Sequence, residues 1–165
     1  MVSMLSKLKK NKSIFILSGC FALYWFYLRF VILELSKAHK HLKSYNSIIK
    51  MFCKKFGYPY PSIVAAIIMV ESYGNPTSKG GAGEYGLMQI MPQTFEMLDK
   101  VYHFNFELET LYDPLNNIVV GIHLLKYLKS RGLSIQNQIK AYNVGEDLKP
   151  ADKAKIYYEK VMKWV

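Results

Sequence analysis

Apolar and polar positions divide the chain into blocks of different period. Residues 13–28, SIFILSGCFALYWFYL, carry no charge, and after Arg29 the apolar run resumes through Phe30, Val31, Ile32 and Leu33 to Glu34 and Leu35. A helix over 14–35 is long enough to span a bilayer, with Arg29 reaching one interface and Tyr24, Trp25 and Tyr27 suited to an aromatic belt. From Ser36 to Phe56 the apolar residues Leu42, Tyr45, Ile48, Ile49 and Phe52 recur at helical spacing, which predicts a helix serving as a neck or as the first helix of a domain. Gly57-Tyr58-Pro59-Tyr60-Pro61 breaks it.

Ser62 is placed to cap the next helix, which carries the run IVAAIIMV over 63–70 and ends near Glu71. Pro92 opens another helix through about Tyr102. Asp113-Pro114 starts a further one with Ile118, Ile122, Leu125 and Leu128 as its core stripe, stopping at Gly132. Ser134 caps a helix through Tyr142, and Pro150 begins the last, with Ile156, Val161 and Trp164 available for burial. Strand-like alternation occurs only near residues 88–91. The pattern predicts a mainly α fold with at most a small β element.

Charge sharpens this division. The 165 residues carry a formal net charge of +10, but eleven of the 22 basic residues lie at or before Lys55, where Glu34 alone of the 12 acidic residues is found. The remaining chain is balanced, with eleven of each sign. The basic excess therefore flanks the apolar segment, and no nucleic-acid motif accompanies it. Lysines lie on both sides of that segment, so the positive-inside count leaves its orientation open. Leu17-Ser18-Gly19-Cys20 also fits a lipobox, and a cleaved signal peptide is a further alternative to a retained helix. The apolar part before Cys20 is short and the residues after it are strongly hydrophobic, which favours the retained helix. Cys20 and Cys53 do not suggest a disulfide, and the four histidines do not cluster, so no metal site is expected.

The chemistry-bearing stretch is ESYGNPTSKGGAGEYGLMQIMPQT, residues 71–94. Glu71 ends an apolar helix, whose surroundings disfavour the carboxylate anion and let the acid hold a proton near neutral pH. The glycines that follow let backbone amides approach a ligand. Taken alone, an acid at a helix end is most often a solvated surface group; the motif after it changes that reading. Glu84 is the one candidate for a second carboxylate.

Glu71-Ser72, Asn75-Pro76 and Gly86-Leu87-Met88-Gln89-Ile90-Met91-Pro92 with Thr94 resemble the lytic transglycosylases, which share a lysozyme-like domain with goose-type lysozymes. Asp113-Pro114, Asn117-Ile118 and Gly121, then Ala141-Tyr142-Asn143-Val144-Gly145, extend the resemblance over roughly residues 58–165. Departures occur in the loop, where Ser78, Gly80 and Glu84 replace the usual alanine, serine and alanine.

The resemblance implies a lysozyme-like catalytic domain over 58–165, preceded by a basic segment over 1–12, a single membrane helix over 13–35 and the helical neck or first helix over 36–57. It implies cleavage of peptidoglycan between N-acetylmuramic acid and N-acetylglucosamine, with formation of a 1,6-anhydro ring and without a cofactor. Glu71 would be the acid and then the base, oriented by a hydrogen bond from Tyr142. Ser72, Gly86, Met88, Gln89, Asn143 and Tyr157 would adjoin or line the substrate site, while Asp113, Pro114, Asn117 and Gly121 look structural. The implied partners are glycan strands and the cytoplasmic membrane, with the domain on its outer side. A secretion, conjugation or phage lysis apparatus would supply the setting. A lysozyme-like hydrolase using Glu84 and a non-catalytic wall-binding protein remain alternatives.

Overall fold

The computed structural model describes residues 23–33, 36, 40 and 43–165 of the chain. It divides into two units, Met1–Lys37 and Ala38–Val165. In the first, residues 23–33 are helical, with Leu23, Tyr24, Trp25, Phe26, Tyr27, Phe30, Ile32 and Leu33 exposed. The Arg29 guanidinium lies 5.7 Å from the centre of the Trp25 ring. Among the described residues no helix is long and apolar enough to cross a membrane. Much of the expected span, together with the lipobox-like residues around Cys20, lies outside the described residues.

In the second unit the helical residues 43–56 form α1, whose inner face carries Ile49 and Cys53, both buried, with Tyr45, Ile48, Phe52 and Phe56 packed around them. Residues 43–56, in the stretch expected as a neck or as a first helix, thus pack into the core of this unit. Gly57, at φ 71°, turns the chain out of the helix, and the Tyr58 amide closes its end on the Cys53 carbonyl at 2.9 Å.

Helix α2, Pro61–Ser72, is apolar nearly all round and lies at the centre, with Ile63, Val64, Ala66, Ile67, Ile68 and Met69 buried. Burial on this scale stabilises by about 1.5–3 kcal/mol per large aliphatic side chain. Its start corrects the expected Ser62 cap. Tyr60 is the N-cap residue and makes no side-chain cap bond, because Pro61 occupies the first helical position, where no amide needs a partner. The helix ends at Tyr73, in the left-handed region at φ 51°.

A loop follows, tied by isolated bridges between Lys79 and Tyr85 and between Tyr85 and Ile90. These are all the β structure found among the described residues; of the alternation near 88–91, Met88 and Gln89 are in the turn and Ile90 is a bridge residue. Helix α3, Pro92–Tyr102, and a short 3-10 turn, Leu108–Tyr112, lead to α4, Pro114–Ser130. The Asp113 carboxylate accepts from the amides of Leu115 and Asn116 and so caps α4, as its sequence predicts. Ser134 caps α5, Ile135–Val144, by accepting from the Asn137 amide. The last helix, α6, is Ala151–Met162 and packs against α5 and α2. Its inner face is Ala154, Tyr157 and Val161; Ile156, one position off that face, is 53% exposed, and Trp164, beyond the helix, is 42% exposed. Both were expected to be buried.

Candidate active site

Glu71 occupies the last turn of α2, with most of its carboxyl shielded by the domain. Three neighbouring contacts hold the GLMQ turn, residues 86–89, beside that helix end. The Ser72 hydroxyl donates to the Leu87 carbonyl at 2.8 Å. The Tyr142 hydroxyl, from α5, donates to the Met88 carbonyl at 2.8 Å. Asn117, from the first turns of α4, accepts from the Met88 amide at 2.7 Å and donates to the carbonyls of Tyr85 and Leu111, each at 2.8 Å. One buried amide thus joins α4, the 3-10 turn and both ends of the turn over 85–88.

Two glycines are required here by space. Gly86 has φ 71°, and a Cβ on it would sit 2.4 Å from both the Asn117 amide nitrogen and the Leu111 carbonyl. At Gly121 a Cβ would lie 2.2 Å from the Met88 sulfur, so this glycine admits the Met88 side chain into the core. Met88 is accordingly fully buried. Met88 was expected to line the substrate cleft, and its side chain is in the core instead; Ser72, expected to adjoin the acid, is buried against the Leu87 carbonyl, and Gly86 lies against Asn117 and the Leu111 carbonyl. Gln89 is partly exposed and adopts the left-handed φ of 47°, and its amide donates to the carbonyls of Gly86 at 2.8 Å and Ser78 at 3.2 Å. Asn143 is exposed at the end of α5, next to Tyr142.

The partner of the acid differs from expectation. Tyr157, from α6, donates its hydroxyl proton to Glu71 Oε1 at 2.5 Å. Tyr142 is close enough for the Glu71 charge to raise its pKa, but its single hydroxyl proton goes to Met88. Sequence spacing could not distinguish two tyrosines on two consecutive helices. The available signal was that Tyr157 shares a face with Ala154 and Val161, which points it inward.

Burial pushes the Glu71 carboxyl up to about 7, against an opposing pull from the Tyr157 hydrogen bond and a smaller one from Lys160, while the Glu84 charge adds to the rise. Desolvation outweighs the hydrogen bond because removing an anion from water costs more than one neutral donor returns. With Oε1 accepting from Tyr157, Oε2 is left to carry the proton. Burial and the Glu71 charge hold Tyr157 itself well above the usual tyrosine range, so it stays a donor throughout. Below about pH 7 the arrangement is a protonated carboxylic acid, oriented through one oxygen, at the edge of an apolar core. It can give a proton to a weakly basic oxygen and take one back. Among the described residues no group of three His, Cys, Asp or Glu side chains is placed to hold a metal ion.

The chain is 33% identical over 102 residues to the membrane-bound lytic murein transglycosylase E of Buchnera aphidicola, covering 59% of this chain and 45% of that protein. It is 36% identical over 104 residues to the transglycosylase of Enterobacteria phage PRD1, covering 62% and 36%. The chain thus spans less than half the length of these curated relatives. Among solved structures, the 70 kDa soluble lytic transglycosylase of Escherichia coli superposes with a TM-score of 0.65 at 25% identity, over 73% of this chain and 23% of that one. The family model described as the Transglycosylase SLT domain matches residues 47–163, from within α1 to just past α6, and the chain belongs to that family.

Proposed function

We propose that this chain is a peptidoglycan lytic transglycosylase in which Glu71 serves both half-reactions. The observation that carries the reading is the Glu71 carboxyl itself, raised to about 7 by burial and hydrogen-bonded by Tyr157. In the first step its proton passes to the glycosidic oxygen between N-acetylmuramic acid and N-acetylglucosamine. The bond from that oxygen to C1 of the muramic residue breaks, and the sugar's own N-acetyl group supports the positive charge left at C1. In the second step the Glu71 carboxylate removes the proton of the C6 hydroxyl, and O6 closes on C1. The carboxylic acid is restored and no water is consumed. Two-carboxylate glycosidases instead release a reducing end. Gln89, partly exposed in the turn that Ser72 and Tyr142 hold, and Asn143, exposed next to Tyr142, are the side chains we assign to the sugar.

Mass spectrometry of purified peptidoglycan digested by the full chain tests this. The expected products carry 1,6-anhydromuramic ends. Reducing muramic ends throughout would replace the reading with a hydrolase, and intact peptidoglycan would leave a wall-binding protein.

The names of the relatives include membrane-bound enzymes, and we place this chain in the cytoplasmic membrane by a single helix over 13–35, with the catalytic unit outside, where peptidoglycan lies. The support is the uncharged run over 13–28 and the exposed apolar side chains that make up most of residues 23–33, interrupted by Arg29. The full chain should resist extraction of membranes by alkaline carbonate, and Cys20→Ser should leave that unchanged. Release into the supernatant would remove the anchor, and release by Cys20→Ser alone would make it a lipid on that cysteine.

A further inference from the structure

The loop between α2 and the GLMQ turn contains a carboxylate that the reaction above does not use. Glu84 folds back over its own loop. Its Oε2 accepts from the Ala82 amide at 3.0 Å, and the Gly80 amide bonds to the Glu84 carbonyl at 3.0 Å. The space it takes is the space above Gly80: a Cβ on that residue would lie 2.0 Å from Glu84 Oε2 and 2.7 Å from the Gln89 side-chain oxygen. Glycine at 80 and glutamate at 84 are therefore one device, in which a small residue makes room for a folded-back acid. It brings two side chains together over the same spot, Gln89 and Glu84. No lysine or arginine forms an ion pair with Glu84 among the described residues, so its charge is not neutralised locally.

We propose that Glu84 is a positioning residue of this active site: clamped over Gly80, it fixes the 80–84 loop beside Gln89 and keeps a negative charge within electrostatic reach of Glu71. The proposal rests on Glu71 being the acid. A like charge nearby disfavours the second anion, so the fixed charge of Glu84 helps Glu71 retain the proton that the first step needs. The other groups acting on Glu71 come from α6 and α5. They are the Tyr157 hydroxyl, the Lys160 ammonium, which works against the proton, and Tyr142. None of them adds a negative charge at neutral pH, so among these groups the loop alone supplies one. The chemistry still runs through one carboxylate.

The test compares kcat/KM against pH for the full-length wild type, Glu84→Gln and Glu84→Ala on soluble glycan fragments, with product analysis. Gln keeps an acceptor for the Ala82 amide and removes only the charge. The expected result is a shift of the alkaline limb to lower pH in both variants. In Glu84→Gln activity at about pH 8 should fall roughly three- to tenfold while that at about pH 5.5 stays near wild type, the size expected for one like charge at partial exposure. Ala should also raise KM at all pH values through the loosened loop. An unmoved limb in both variants would overturn the proposal while leaving Glu71 as the acid. Loss of activity at every pH in Glu84→Gln, or reducing-end products that vanish with it, would make Glu84 a second catalytic carboxylate and overturn the positioning role. If Glu71→Gln retained activity, the reading beneath the proposal would fail first.

Discussion

Glu71→Gln should abolish peptidoglycan cleavage while producing a protein that is more resistant to unfolding at mildly alkaline pH. Glutamine keeps the volume and an oxygen for the Tyr157 hydroxyl to donate to, so the packing of α2 against α6 is retained. It has no proton to give to a leaving oxygen and cannot take one from a sugar hydroxyl. General acid-base catalysis by one group is worth about 10²–10⁴-fold, and since one group serves both steps here the loss should reach the upper end. The stability effect follows from linkage. Folding raises the Glu71 pKa from the ordinary 4.5 to about 7, so between those values the folded chain holds a proton that the unfolded chain has released. The contribution is fully present below about pH 4.5 and is lost as pH rises through about 7. It amounts to at most about 3 kcal/mol, less where water reaches the carboxyl. The variant has no such group, so its stability relative to wild type should improve between about pH 5 and pH 8 by chemical denaturation. A difference that does not change with pH would mean that Glu71 is not desolvated.

Asn117→Ala should be the most destabilising single change near the site. The side chain is fully buried and makes three hydrogen bonds, and alanine would strand the Met88 amide and the Leu111 carbonyl, while the Tyr85 carbonyl would keep only the Ile90 amide. Buried polar groups left without partners cost about 1–3 kcal/mol each. Allowing for relaxation and water entry, the loss should be about 3–5 kcal/mol, or roughly 10–20 °C in melting temperature. Activity should fall with it, because the same residue positions Met88 and hence the carbonyl that receives the Tyr142 hydroxyl. Asn117→Asp keeps the acceptor but loses both donors and buries a charge, so it should not rescue. A melting shift of a few degrees or less would show that the turn is held mainly by Ser72 and the Tyr85–Ile90 bridges.

Much of the helical frame was legible because its boundaries are written in residues that act locally. Asp113 before Pro114 and Ser134 before Ile135 cap the helices they were expected to cap. Pro61 and Ser62 compete at one start, and proline at the first position made the serine cap unnecessary. The acid was legible for a similar reason: the apolar run before Glu71 predicts its desolvation, and its pKa is raised accordingly. What sequence could not supply was the choice between long-range partners. Tyr157 is on α6, which packs against α2, and Tyr142 on α5, which packs against α6, and only that packing decides which hydroxyl reaches Glu71 and which reaches Met88. Met88 was expected to line the cleft because it lies in the motif. The space that buries it is opened by Gly121, far along the chain and on another helix.

The pH dependence of kcat/KM for the wild-type chain on soluble glycan fragments tests most directly whether one buried, protonated carboxyl performs the reaction. Activity should hold through mildly acidic pH and fall with an alkaline limb at about 7, where Glu71 loses its proton. Activity that falls away above the ordinary glutamate value of 4.5, or that continues undiminished to pH values well above about 8, would contradict it.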